Sequence, residues 1–282
     1  MRAIEYWAAR FAIATVARFP PLARVYIRLL DLLVPRFRRT ARKNLSIAGI
    51  CEDGVIDGMF RSIARMLETF ARFPRITREN VHDLIRYDGL EHFKNALARG
   101  RGVLVATAHF GNWELSAFAH ALMTAPMHVV ARPLDNRRLD EFIEQRRAMS
   151  GNRIISKREA AREILRALKS GQAVGILIDQ NTAREEGVFV DFFGVKACAG
   201  TGFVKLAHHS GAAVVPGYAL WSAAERRYVL RFDPEIPMSG GVPEDTQKIH
   251  SHLEKVIRKH ADQYLWIHRR WKTRPPGEPP LY

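Results

Sequence analysis

One short stretch of this 282-residue chain joins groups able to take up a proton and hold the resulting charge: His109-Phe110-Gly111-Asn112-Trp113-Glu114. An imidazole with a pKa of ~6.5 accepts protons at neutral pH. A carboxylate beside it would orient the ring and stabilise the imidazolium. The pair suits attack by an alcohol on an acyl thioester: the hydroxyl must lose its proton as it attacks, and the good leaving group removes any need for an enzyme-bound acyl intermediate. His109 is therefore expected as the base and Glu114 as its partner. No evident nucleophile competes: there is no Gly-x-Ser-x-Gly elbow, and neither Cys51 nor Cys198 has a plausible base nearby in sequence. A capped helix with a buried histidine beside it would use the same residue types without chemistry. Here strand end, glycine turn, cap and carboxylate coincide, which favours function.

The pattern around this stretch supplies the elements to hold it. Residues 103–108 are apolar and rich in valine, so they read as a strand that leaves His109 at its carboxyl end, where ligands bind in open α/β sheets. Asn112 is a good helix N-cap, which places Glu114 in the first turn of the following helix with its carboxylate turned back toward the loop. Further strands are expected at 127–131, 153–155, 173–178 and 213–219, alternating with helices at 113–123, 136–149, 159–169 and 200–209. That alternation predicts an α/β fold with a mainly parallel central sheet flanked by helices. Residues 228–232 follow the fifth strand after a short polar turn and read as its antiparallel neighbour. An apolar stripe over 55–70 predicts a core helix ending before Pro74, and 244–260 reads as a charged helix.

With 47% apolar residues and five tryptophans, the chain can bury a sizeable core. The expected organisation is a helical arm over 1–45 followed by one catalytic domain over 46–282. Two cysteines are too few for a disulfide framework, and both are expected in the core. The formal charge is +15, and residues 1–50 carry ten basic side chains against Glu5 and Asp31, so about half of the excess is in the arm. Its first apolar run, from Tyr6 to Ala17, is shorter than the ~18–20 residues of a membrane span, which leaves a tilted span including both ends as the alternative to surface contact, and it lacks the cleavage site of a signal peptide. In the second, Leu22, Val25, Tyr26, Leu29, Leu30 and Leu33 recur at helical spacing, with Arg24, Arg28 and Asp31 on the opposite face. A basic run from Arg36 to Lys43 follows. Such an arm predicts an anionic membrane surface as partner. Nucleic acid is not expected as one, since zinc-finger spacing, RNP-type aromatics and a disordered basic tail are all missing. His120, His128, His208 and His209 fall in no metal-ligand motif, and Gly200-Thr201-Gly202 lacks the third glycine of a dinucleotide loop, so neither metal nor cofactor is expected.

The sequence from His109 to Glu114 resembles the first motif of the lipid A biosynthesis (late) acyltransferases, which are related to the glycerolipid acyltransferases. The likeness runs in order through Arg132-Pro133-Leu134-Asp135-Asn136, Asp179-Gln180-Asn181, Asp191-Phe192-Phe193-Gly194 and Gly211 to Pro216. It closes with the block from Gln263 to Pro275. The resemblance implies an enzyme on the cytoplasmic face of the inner membrane. It would move an acyl chain from acyl carrier protein, or from the coenzyme A thioester, to a hydroxyl of a lipid A precursor. It also implies that Arg132 and Asp179 line the substrate site. Another glycolipid, a phospholipid or an aminolipid would serve the same chemistry as acceptor. The chain departs from the family pattern at Asn181, where some relatives carry a second acidic residue, and in its short, interrupted amino-terminal helix.

Overall fold

The computed structural model of the chain describes residues 2–156 and 160–282. Three helices come first, α1 (Arg2–Arg18), α2 (Leu22–Leu33) and α3 (Pro35–Ala48). Prolines, which lack an N–H and cannot continue a helix ladder, mark both breaks: Pro20-Pro21 between α1 and α2, and Pro35 at the first position of α3. There follow α4 (Val55–Ala71), α5 (Val81–Leu84), β1 (Ile85–Asp88), α6 (Leu90–Leu97), β2 (Val103–Thr107), α7 (Trp113–Met123), β3 (His128–Ala131), α8 (Arg137–Ala148), β4 (Arg153–Ser156), α9 (Ala160–Lys169) and β5 (Ala173–Leu177). The chain continues through β6 (Gly187–Phe192), β7 (Val195–Gly200), α10 (Gly202–Ser210), β8 (Ala213–Ser222), β9 (Arg227–Phe232) and α11 (Val242–Lys259).

The central sheet has seven strands in the order β1-β9-β8-β2-β5-β3-β4. Neighbours are parallel throughout except β8 and β9, which pair antiparallel as their short connection requires. Three strands were not signalled by the sequence pattern: the edge strand β1, and β6 and β7 of a separate hairpin. Strand β2 is the branch point of the order, because β3 lies two places to one side of it and β8 lies next to it on the other. It pairs β5 in register, with Thr107 opposite Leu177, so the residues that leave the two strands emerge side by side.

The arm is not a detached appendage. Ile13, Val16, Ala23, Ile27, Ala41 and Leu45 belong to the same buried cluster as α4 and one face of the sheet. Helix α3 runs across residue 45, and its buried Asn44 donates to the carbonyls of Trp266 and His268 at 2.6 and 2.7 Å. The faces of α2 differ from a simple apolar-inside reading. Small Ala23, Ile27 and Asp31 point inward, while Val25, Leu29, Leu30 and Leu33 are exposed. Asp31 was expected on the polar outer face; it is buried instead, held by Arg38 Nε and Nη2 at 3.0 and 2.7 Å. One expectation for the cysteines is likewise corrected: Cys198 is in the core, but Cys51 is exposed between α3 and α4. Among the described residues no helix is long and apolar enough to cross a membrane.

Candidate active site

His109 and Asp179 follow adjacent parallel strands, two residues past the ends of β2 and β5. Their side chains meet. His109 Nδ1 is 2.9 Å from Asp179 Oδ1, and Asp179 Oδ2 accepts the backbone N–H of His109 at 3.2 Å. A carboxylate can only accept, so Nδ1 carries the proton and the neutral ring keeps its lone pair on Nε2. The imidazole is 19% exposed and the carboxylate 5%. Burial by itself would lower the pKa of His109, but the charge and hydrogen bond of Asp179, with Glu114 further off, raise it above the usual histidine value. Burial works the other way on Asp179, and the His109 ring holds it below the usual carboxylate range.

The turn that delivers this histidine is tightly built. Gly111 adopts φ 61°, and a Cβ there would meet the carbonyl oxygen of Ala219 at 2.1 Å. The Asn112 cap is formed as expected, with Oδ1 accepting Leu115 N–H at 3.0 Å. The carboxyl-terminal block braces both loops. Leu265 N–H donates to the His109 carbonyl and Gly111 N–H to the Gln263 carbonyl, each at 2.9 Å. On the Asp179 side, Asn181 N–H donates to His268 Nε2 at 2.9 Å, and its side chain exchanges two bonds with Thr273 at 3.0 Å. Burial and the Asp179 charge push the Tyr264 phenol well above its ordinary value, so it stays protonated.

Glu114 is in the first turn of α7, but the direct contact with the imidazole expected from the sequence is corrected here. Both its oxygens are bound by Arg147 of α8, at 2.6 and 2.9 Å, and the carboxylate that holds the ring is Asp179. A first-turn side chain points along its helix, whereas a residue leaving the neighbouring strand reaches straight across. Strand adjacency and the Arg147 pairing had no sequence signal beyond the resemblance of the Asp179 block. Arg270, within the carboxyl-terminal block, is 1% exposed, donates to the Cys198 carbonyl at 2.6 Å and packs over Phe192. The other histidines are scattered: His120 meets Tyr87, His128 meets Gln172 and His208 meets Asp245.

His109, Glu114 and Arg132 share one cavity of about 870 Å³ with Gln180 and Asn181, whereas Asp179, expected to line the site, is buried behind His109 and does not line it. At its rim Arg132 is exposed and, among the described residues, in no ion pair. Inward, the cavity passes between α7 and one face of the sheet, where Val105, Val129, Leu177, Phe118 and Phe232 give it apolar walls. It thus combines a proton acceptor at the mouth with an apolar recess behind it.

Comparison with known proteins places this geometry in a family. A model described as bacterial lipid A biosynthesis acyltransferase matches residues 4–273. The lipid A biosynthesis palmitoleoyltransferase of Escherichia coli K12 is 32% identical over 99% of this chain and 95% of its own length. From the same organism, the lauroyltransferase is 32% identical over 69% of this chain and 64% of its own length, and the myristoyltransferase 23% over 97% and 90%.

Proposed function

The chain belongs to the bacterial lipid A biosynthesis acyltransferases, and we propose that it passes a fatty acyl chain from the thioester of acyl carrier protein to a hydroxyl of a lipid A precursor. The observation that supports this most is that His109, held by the buried Asp179, lines a cavity with apolar walls. In this reading the acyl chain lies in the recess with its thioester near His109. The acceptor hydroxyl approaches Nε2, which takes its proton as the oxygen bonds to the carbonyl carbon. The carbon–sulfur bond then breaks, and the proton passes to the leaving sulfur, giving an ester and a free thiol. Asp179 fixes the ring and stabilises the imidazolium. Glu114 adds negative charge nearby and, through Arg147, ties α7 to α8 beside the mouth. Arg132 is placed to meet an acceptor phosphate or the oxygen that gains charge. The chemistry calls for neither metal nor cofactor.

The reading includes attachment at the membrane surface on the cytoplasmic side. The outer faces of α1 and α2 and the link between them leave Trp7, Phe11, Phe19, Leu29, Leu32 and Leu33 in solvent, with Phe11 at 66% and Leu33 at 79% exposure. Arginines surround these side chains, as in helices that lie in a lipid interface. The relatives' names carry three different acyl groups, so membership does not define the chain transferred.

The direct test supplies purified protein with acyl carrier protein thioesters and a lipid A precursor and weighs the lipid product. The wild type gains the mass of one acyl group. His109→Ala, folded by thermal unfolding, loses transfer by a factor of about 10² or more; full turnover in that variant rejects the base.

A further inference from the structure

Resting on the reading that the recess holds the acyl chain, we infer that Gly175 and Met127 set the length of chain it accepts. Gly175 is in the middle of β5, opposite Val105 of β2 on one side and Val129 of β3 on the other. All three line the cavity, so they form a row across its wall in which the central side chain is missing. The backbone does not demand this glycine, because its φ lies outside the left-handed region. What the glycine supplies is room, and a glycine inside a strand often marks a place where a ligand comes close.

That room ends at one flexible side chain. A Cβ built at Gly175 lies 3.0 Å from Met127 Cε, and the next nearest atom, the His128 carbonyl oxygen, is at 3.9 Å. Met127 precedes β3 and thus lies deeper than Val129, on the side away from His109. Across the sheet, on the β9 side of Val105, the cavity is bounded by Phe232 and His120, whose ring centroids are 5.7 Å apart. Burial lowers His120 to a pKa of about 4 and Tyr87 holds its Nδ1, so this wall is uncharged as well. Leu177 and Thr107 form the row above, nearer the mouth. A chain entering at His109 therefore passes Leu177, crosses the gap at Gly175 and stops against Met127.

The test measures kcat/KM for a series of acyl carrier protein thioesters of increasing chain length with wild type, Gly175→Ala, Gly175→Val and Met127→Ala. Gly175→Ala, and Gly175→Val more strongly, lower the ratio of long- to short-chain transfer by about fourfold for each methylene that loses its place, the ~0.8 kcal/mol of a buried methylene. Met127→Ala raises the same ratio. If Gly175→Val does not fold, Gly175→Ala and Met127→Ala still read it. Folded variants that keep the wild-type ratio, or that lose transfer equally with every donor, overturn the inference. A wild type that uses none of the thioesters overturns the acyl-transfer reading beneath it.

Discussion

In its proposed role as base His109 must be neutral, so on that reading the pH at which the chain becomes active reports the surroundings of this ring. Asp179 raises the pKa of the ring and burial opposes it; the acid limb of kcat/KM is accordingly expected above the ordinary histidine value of ~6.5. In Asp179→Asn the raising partner is gone while burial remains, so the limb moves to lower pH and the plateau falls by about 10²-fold. Glu114→Gln removes only a more distant charge and one side of the Arg147 pair. Its limb moves less in the same direction. Profiles of the two variants measured side by side decide the division of roles, and a larger shift in Glu114→Gln would return that carboxylate to the position of ring partner. The family resemblance already pointed to Asp179, but as a lining residue. Its contact with His109 depends on β5 lying beside β2, and no local pattern states which strands are neighbours.

At the scale of elements, the parts written by local physics were the ones legible in the sequence. The apolar runs gave five strands of the sheet, the antiparallel neighbour and their intervening helices, and Asn112 gave its cap. Strand β1 was hidden because four residues with partial burial carry little periodicity, and the hairpin of β6 and β7 because its alternation is broken by Asp191-Phe192-Phe193-Gly194. The turn after β2 depends on Gly111 more than its sequence suggests. A side chain there requires φ near 61° and collides with the Ala219 carbonyl, which belongs to β8 and cannot move away cheaply. Gly111→Ala is therefore expected to destabilise the fold by roughly 2–4 kcal/mol, combining left-handed strain with a forced shift of packed backbone. Chemical denaturation checks this, and a loss below ~0.5 kcal/mol would mean that the turn tolerates rearrangement.

For the molecule as a whole, what matters is how the outward apolar face and the cavity are arranged together. Asn136, just beyond the rim residues Arg132 and Leu134, donates to the Arg2 carbonyl and to Glu5, so the start of α1 is fastened beside the mouth. A bilayer covering Trp7, Phe11, Leu29 and Leu33 would then lie near the opening, and a lipid acceptor could reach His109 with its tails still in the membrane. Removing the arm is a poor test of this, because Ile13, Val16, Ala23 and Ile27 are part of the core. Changing Phe11, Leu29 and Leu33 to serine leaves that inner face intact. Flotation with anionic vesicles is expected to fall by on the order of tenfold for each residue changed, about 1.4 kcal/mol of lost apolar burial. Higher salt should weaken binding of the wild type as well, since Arg24, Arg28, Arg36, Arg39 and Lys43 are exposed around the same helices and act through screened charge. Transfer to a short, micelle-free acceptor should change far less than transfer to one embedded in vesicles. A triple variant that floats like the wild type at every salt concentration would show that this face does not meet the membrane.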